Sequence, residues 1–305
     1  MSTTSPTPVV SVRPVVLPTP AARGEDLQVR VTAPITPDPV PVIVFSHGFG
    51  ESMAGYQPLV DHWTANGFAV VQPTHLDSRT LGLAPDDPRT PVIWRHRVDD
   101  LVGVLDHLDL VEAAVPGEAG HLDRDRIAVA GHSWGATSAS ALIGARVVDA
   151  DGRPGPNGTD PRVRAAVLLA LAGHGQEDLT AFAAEHLPFM SPDFAEMTAP
   201  ALLVAGDHDQ SQLSTRGPDW WADGYRQSPA PKALLTVAGG EHSLGGITGY
   251  GVTETTDEDP ARVALVARVS TAYLRDALGV ESDSWRDETA ALAADADARG
   301  RIETK

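Results

Sequence analysis

A mostly parallel, doubly wound α/β sheet is the fold class predicted for this 305-residue chain. Short β-branched runs recur along it, the later ones apolar without alternation, and helix-like stretches separate them. An unbroken apolar run of strand length suits a strand buried on both faces of a parallel sheet. Regular alternation of such strands with helices suits helices on both faces of that sheet.

Eight runs read as strands: residues 9–16, 27–31, 42–45, 69–71, 127–130, 165–171, 201–205 and 233–237. Helical stretches are expected over 56–66, 94–114, 134–146 and 260–278. In the last, Val263, Val266, Ala267, Ser270, Tyr273 and Leu274 share one helical face. The expectation is one domain over residues 1–280, followed by an acidic, Ala-rich tail or helix over 281–305 with Trp285 as its anchor. The Gly-, Pro- and Asp-rich stretch 149–161 reads as a surface loop. Its Asp149, Asp151 and Asn157 could face a cation, but their spacing misses the calcium-loop pattern and no bidentate Glu follows, so no metal is expected.

Composition removes several classes of function. The chain has no cysteine, so thiolate nucleophiles, disulfides and Cys-ligated zinc are excluded. A formal net charge of −18 argues against nucleic acid and anionic membranes as partners, since both would repel it. No run approaches the roughly 18 apolar residues of a membrane span. Residues 1–6 lack the basic and apolar regions of a secretory leader, so a cytoplasmic location is expected.

The chemistry is carried by Gly131-His132-Ser133-Trp134-Gly135, which follows the apolar run 127–130 and opens into an Ala-rich helix. Strand, sharp turn and helix in that order present a serine nucleophile, with glycines where neighbouring chains pass close. A serine hydroxyl is a weak nucleophile until a base removes its proton, and a third group must orient the base. Downstream, the strand 201–205 runs into Gly206-Asp207-His208-Asp209, and the strand 233–237 runs into Glu241-His242-Ser243. His242 is the expected base and Asp209 the expected acid, with Asp207 as the alternative. The strand 42–45 runs into His47-Gly48-Phe49-Gly50. This loop and the residue after the serine are where backbone donors for an oxyanion are expected, from Phe49 and Trp134. His47 reads as a residue holding the loop rather than a second base. Dehalogenation and epoxide hydrolysis on this scaffold would need aspartate where Ser133 stands.

With those residues in order, the chain resembles the α/β-hydrolase superfamily from about residue 27 to 278. The segments 44–50, 73–78, 94–101 and 131–137 are similar to one serine-esterase branch. That branch holds dienelactone-hydrolase-like proteins, chlorophyllases, bacterial cutinase-type polyester hydrolases and platelet-activating-factor acetylhydrolases. The resemblance implies an α/β-hydrolase fold with an eight-stranded sheet and a cofactor-independent hydrolase of carboxylic esters working through an acyl-enzyme. Ala136 stands where the branch often has a second glycine. Dienelactone hydrolases proper use a cysteine, which is absent here.

Specificity on such folds lies in loops at the carboxyl ends of the strands. Trp94, His75 and His174 are the expected substrate contacts. The segment 174–198, with Phe182, Phe189, Met190 and Phe194, is a candidate lid or acyl pocket. The expected partner is a small-molecule ester with an uncharged or weakly polar acyl part; polyester, lactone, thioester and amide are alternatives. A ligand-binding protein without catalysis is the reading of a different class.

Overall fold

The computed structural model describes residues 7–116, 121–149, 151–187, 189–249 and 256–305. Residues 1–6, on which the reading about a leader rests, lie outside the described residues. In chain order the first elements are β1 (Val9–Leu17), β2 (Leu27–Pro34), β3 (Val40–Ser46), α1 (Gln57–Ala65), β4 (Ala69–Pro73), α2 (Ile93–Asp106), α3 (Leu108–Ala114) and β5 (Leu122–His132). Next come α4 (Trp134–Ala141), β6 (Arg146–Val147), β7 (Val163–Leu169), α5 (Ala181–His186), β8 (Pro192–Asp193), β9 (Ala201–Gly206) and α6 (Asp223–Gln227). The last are β10 (Lys232–Val237), α7 (Pro260–Ala277), α8 (Ser284–Ala294) and β11 (Gly300–Thr304).

The main sheet has the order β1-β2-β4-β3-β5-β7-β9-β10-β11. Its centre, from β4 to β10, is parallel, while β1, β2 and β11 join antiparallel. This is the α/β-hydrolase fold. Alternate residues of each central strand enter opposite cores. Val42, Val44, Val129 and Leu168 pack under α2, α3 and α4, whereas Ile43, Phe45, Ala130 and Leu169 pack under α1 and α7. Both faces are covered, which is why the central strands read as continuous apolar runs. The start of α7 is fixed locally: Asp259 caps it, accepting from the Ala261 and Arg262 amides, and Pro260 follows at the position that needs no N–H donor.

The sheet has nine strands among the described residues, where the sequence suggests eight. The additional strand is β11, paired antiparallel with β10 from Ala233↔Thr304 to Val237↔Gly300. The segment 281–305 is thus a helix and an edge strand. Helix α8 folds onto α7 through an edge-on contact of Trp285 with Tyr273, ring centroids 5.2 Å apart. Edge strands are polar to discourage pairing with other chains, and the one hydrophobic side chain of β11, Ile302, is only partly buried. Its apolar signal is correspondingly faint. No helix among the described residues is long and apolar enough to cross a membrane.

Candidate active site

Four loops converge at the carboxyl edge of the parallel strands: those after β3, β5, β9 and β10. After β5 the chain turns sharply into α4. Ser133 occupies the turn with φ 55° and ψ −123°, a conformation that strains any side-chain-bearing residue. Its amide donates to the Leu169 carbonyl at 2.9 Å, which ties the turn to β7. Gly135 lies so close to β3 that a Cβ there would run into the Ser46 and His47 carbonyl oxygens. The elbow can reach its position only with glycine at 135.

The Ser133 hydroxyl lies 2.9 Å from His242 Nε2, and His242 Nδ1 lies 2.9 Å from Asp209 Oδ2. A carboxylate can only accept, so Nδ1 carries the proton and Nε2 accepts from the serine hydroxyl. Asp209 is 1% exposed, while the His242 side chain remains 43% exposed. The two candidate acids part here. Asp207 Oδ1 accepts from the Gly239 amide at 2.6 Å and braces the loop after β10, whereas Asp209 faces the imidazole. Trp221 covers His242 from one side. Its indole N–H donates to the Asp209 carbonyl oxygen at 2.9 Å, and its ring lies 4.9 Å from that of His242.

The loop after β3 is held by a buried polar network. Arg97, fully buried on α2, pairs with Asp77 at 2.6 Å and also donates to Ser138, Ser46 and the His47 carbonyl. The second Asp77 oxygen accepts from the Gly50 amide at 3.0 Å. Arg97 and Asp77 therefore grip the backbone on both sides of Phe49. His47 Nδ1–H donates to the Gly48 carbonyl, and its Nε2 accepts from the His75 amide. Burial pushes the His47 and His75 pKa values well below the ordinary range, so both rings are neutral. The Phe49 amide meets no acceptor among the described residues. Trp134 is the first residue of α4, where an amide lacks an intrahelical acceptor.

Burial alone would raise the Asp77 pKa, but the Arg97 guanidinium overrides it and holds the carboxyl at about 2. A carboxylate depressed in the folded state stabilises at pH values above its unfolded pKa, and that contribution is lost as pH falls through the folded value. Asp77→Asn is accordingly expected to cost about 2 kcal/mol or more at pH 7. In urea titrations its difference from wild type should be constant above about pH 5 and shrink as pH falls toward 2. A difference that does not change with pH would contradict this account of the loop.

Aromatic side chains border the serine. Phe49, 64% exposed, lies 5.7 Å from Trp134 between ring centroids; Trp134 stacks on Phe189 at 5.1 Å, and Phe189 on Trp94 at 6.2 Å. Trp94 thus ends a run of four rings that includes Trp134, the residue after the serine. His75 does not line this wall. It is fully buried, donates from Nδ1 to Asp100 at 2.9 Å and accepts from the Ser46 hydroxyl at 2.9 Å. The expectation of a substrate contact fails there because the chain leaving β4 carries His75 beneath the loop after β3. His174 is half-buried and bonds to the Pro192 carbonyl, with its amide on Asp223. Within 174–198, Phe194 and Met190 enter the core, Phe182 is exposed against His186, and only Phe189 joins the aromatic wall. In the loop 149–161, Asp149 accepts from the Asp151 and Arg153 amides, and Asn157 bonds to Thr159 and Glu196. Asp149 and Asn157 cap their own turns, and Asp151 pairs with Arg153.

Three contributors escape sequence reasoning: Arg97, Asp77 and Trp221. Arg97 and Asp77 stand within segments that resemble a known branch, yet no motif marks their roles. Trp221 lies in the short turn Pro218–Ala222, between the loops that carry Asp209 and His242, with no local signal.

Residues 37–154 match the Hydrolase_4 family model, described as serine aminopeptidase, S33. The match spans β3, the Phe49 loop, α2 and the elbow, and ends before Asp209 and His242. No curated protein matches the chain. The fold is that of the α/β-hydrolases, and the family match over residues 37–154 supports a serine hydrolase of that type.

Proposed function

We propose that the protein is a serine esterase that cleaves carboxylic esters through an acyl-enzyme. The observation that carries this reading is the continuous hydrogen-bonded chain Ser133–His242–Asp209, with both links at 2.9 Å. His242 takes the serine proton as Ser133 Oγ attacks the ester carbonyl, and the Phe49 and Trp134 amides hold the oxyanion. The proton then passes to the leaving alcohol, whose departure leaves the acyl-serine. Water enters, gives a proton to His242 and bonds to the acyl carbon; the bond to Ser133 Oγ then breaks, His242 returns the proton to that oxygen, and the acid leaves. Asp209 keeps the imidazole in the tautomer with Nδ1 protonated and stabilises the imidazolium between steps.

An aminopeptidase reading is favoured by the name of the matching family. Such a substrate brings a cationic α-amine, which needs a free carboxylate beside the serine. Asp209 is bonded to His242 and Asp77 to Arg97, and the neighbouring wall is aromatic. An uncharged acyl group of modest size fits that wall better.

Pre-steady-state hydrolysis of p-nitrophenyl esters from acetate to decanoate, beside alanine and leucine p-nitroanilides, tests the reading. A burst of nitrophenol with esters and little turnover of the anilides is expected. Efficient anilide hydrolysis would move the assignment to a peptidase, and no turnover of either class would remove the esterase. Asp209→Asn should lower kcat about 10⁴-fold by spoiling the tautomer. Asp207→Asn, at a side chain that accepts from the Gly239 amide rather than from His242, should stay within about tenfold of wild type. Steady-state kinetics of the two variants would reverse the choice of acid if these effects were exchanged.

A further inference from the structure

His132, the residue before the serine, ends β5 with its ring 4% exposed between the two loops that flank the site. Its Nε2 lies 2.8 Å from the His242 carbonyl oxygen, and its Nδ1 lies 2.9 Å from the Tyr56 hydroxyl. The Tyr56 oxygen in turn accepts from the Gly48 amide at 2.9 Å. Proton positions follow from the partners. A carbonyl only accepts, so Nε2 of His132 must carry hydrogen. Burial and the adjacent His242 ring, 5.0 Å away between centroids, push the His132 pKa down to about 3, so the ring is neutral and Nδ1 is bare. Nδ1 therefore accepts from the Tyr56 hydroxyl. The tyrosine is fully buried and its pKa is raised by burial, so it keeps that proton.

We infer that His132 and Tyr56 are positioning residues that lock the loop of the base to the loop of the oxyanion donors. The connection runs from the Gly48 N–H to the Tyr56 hydroxyl, on to His132 Nδ1, and from His132 Nε2–H to the His242 carbonyl. Gly48 directly precedes Phe49, and His242 is the base, so one bridge fixes both partners of Ser133 from behind. The space around it is tight. A Cβ on Gly48 would fall 2.9 Å from the Tyr56 hydroxyl and 3.3 Å from His132 Nδ1. The Tyr56 amide also donates to Thr248, on the segment that follows His242. A neutral bridge has a further advantage. When His242 becomes an imidazolium, the ring beside it carries no opposing charge. Glutamine could replace this imidazole, since its amide can donate to the His242 carbonyl and accept from Tyr56. Leucine can do neither.

This inference rests on the proposed roles of Ser133 and His242, and labelling of the serine by a fluorophosphonate probe separates the two. If wild-type protein is not labelled at Ser133, the proposed function fails, whatever the variants do. With wild type labelled, His132→Leu and Tyr56→Phe should label about 10- to 100-fold more slowly. His132→Gln should recover to within about threefold of wild type. On p-nitrophenyl acetate the losses should fall on kcat, with KM changed by less than about threefold. Tyr56→Phe removes one oxygen and keeps the ring, so it carries the test should His132→Leu fail to fold. Long-range proton–nitrogen spectra should show His132 protonated at Nε2 and bare at Nδ1 between pH 5 and 8. Wild-type labelling rates in Tyr56→Phe, a glutamine variant no better than leucine, or the opposite tautomer would each overturn the inference.

Discussion

Replacing Ser133 with alanine is expected to lower ester turnover by at least about 10⁴-fold while leaving the fold intact. In the proposed mechanism the hydroxyl supplies the atom that bonds to the acyl group, and it lies 2.9 Å from His242 Nε2. Its removal leaves the amides of Phe49 and Trp134 to act on a carbonyl that nothing attacks but water. The remaining rate should therefore be that of water attack assisted by the oxyanion donors. The backbone offers a second readout. Ser133 sits at φ 55° and ψ −123°, and alanine would inherit the strain, whereas glycine would relieve it. Ser133→Gly should thus be inactive yet more stable than Ser133→Ala by about 1 kcal/mol. Burst kinetics and urea unfolding on the two variants measure both effects. Turnover near wild type in either would remove Ser133 as the nucleophile.

Gly135→Ala should abolish activity by a different route, with the serine still present. A Cβ at 135 would overlap the Ser46 and His47 carbonyl oxygens, where β3 ends. Neither can retreat easily: Arg97 grips the His47 carbonyl, and Ser46 is paired through β3 with Gly131 of β5. The turn and the oxyanion loop must separate, which takes the Trp134 and Phe49 amides out of register with each other. A stability loss of about 3 kcal/mol and a drop in fluorophosphonate labelling of about 100-fold or more are expected. Gly144→Ala is the matched control. Its Cβ would meet the Glu196 backbone, and the residue has φ 109°, but it stands beyond α4 and away from the serine. It should lose stability and keep its labelling rate when folded. Equal labelling losses in both variants would show that unfolding, not separation of the loops, accounts for Gly135→Ala.

The parts of this molecule legible in the sequence are those whose signal is local. All eight expected strands are found, because strands buried on both faces need unbroken apolar runs such as Val42–Phe45 and Ala201–Ala205. Boundaries drift where burial ends. Strand β5 begins at Leu122, five residues before the expected run, through an Asp-Arg stretch that is largely exposed. Strand β11 was not legible, since one partly buried isoleucine leaves little pattern. The expected helix 94–114 is two helices, divided at His107, whose side chain bonds back to Gly103.

By itself the sequence determined the order of strands and helices, the sharp turn that holds Ser133, and the loops in which an acid and a base were to be sought. Each follows from nearest-neighbour chemistry: glycines at a close approach, apolar runs in a sheet, polar residues at strand ends. Only the tertiary structure decided which aspartate faces His242, since Asp207 and Asp209 have the same side chain in the same loop. It also moved His75 from the expected pocket to a buried position under Ser46, and it brought Arg97, Asp77, Tyr56, His132 and Trp221 around the site from separate elements. One of those contacts, the bond from His132 to His242, joins residues 110 positions apart. A hydrogen bond depends on where atoms lie in space, and sequence spacing carries that information only within one turn or strand.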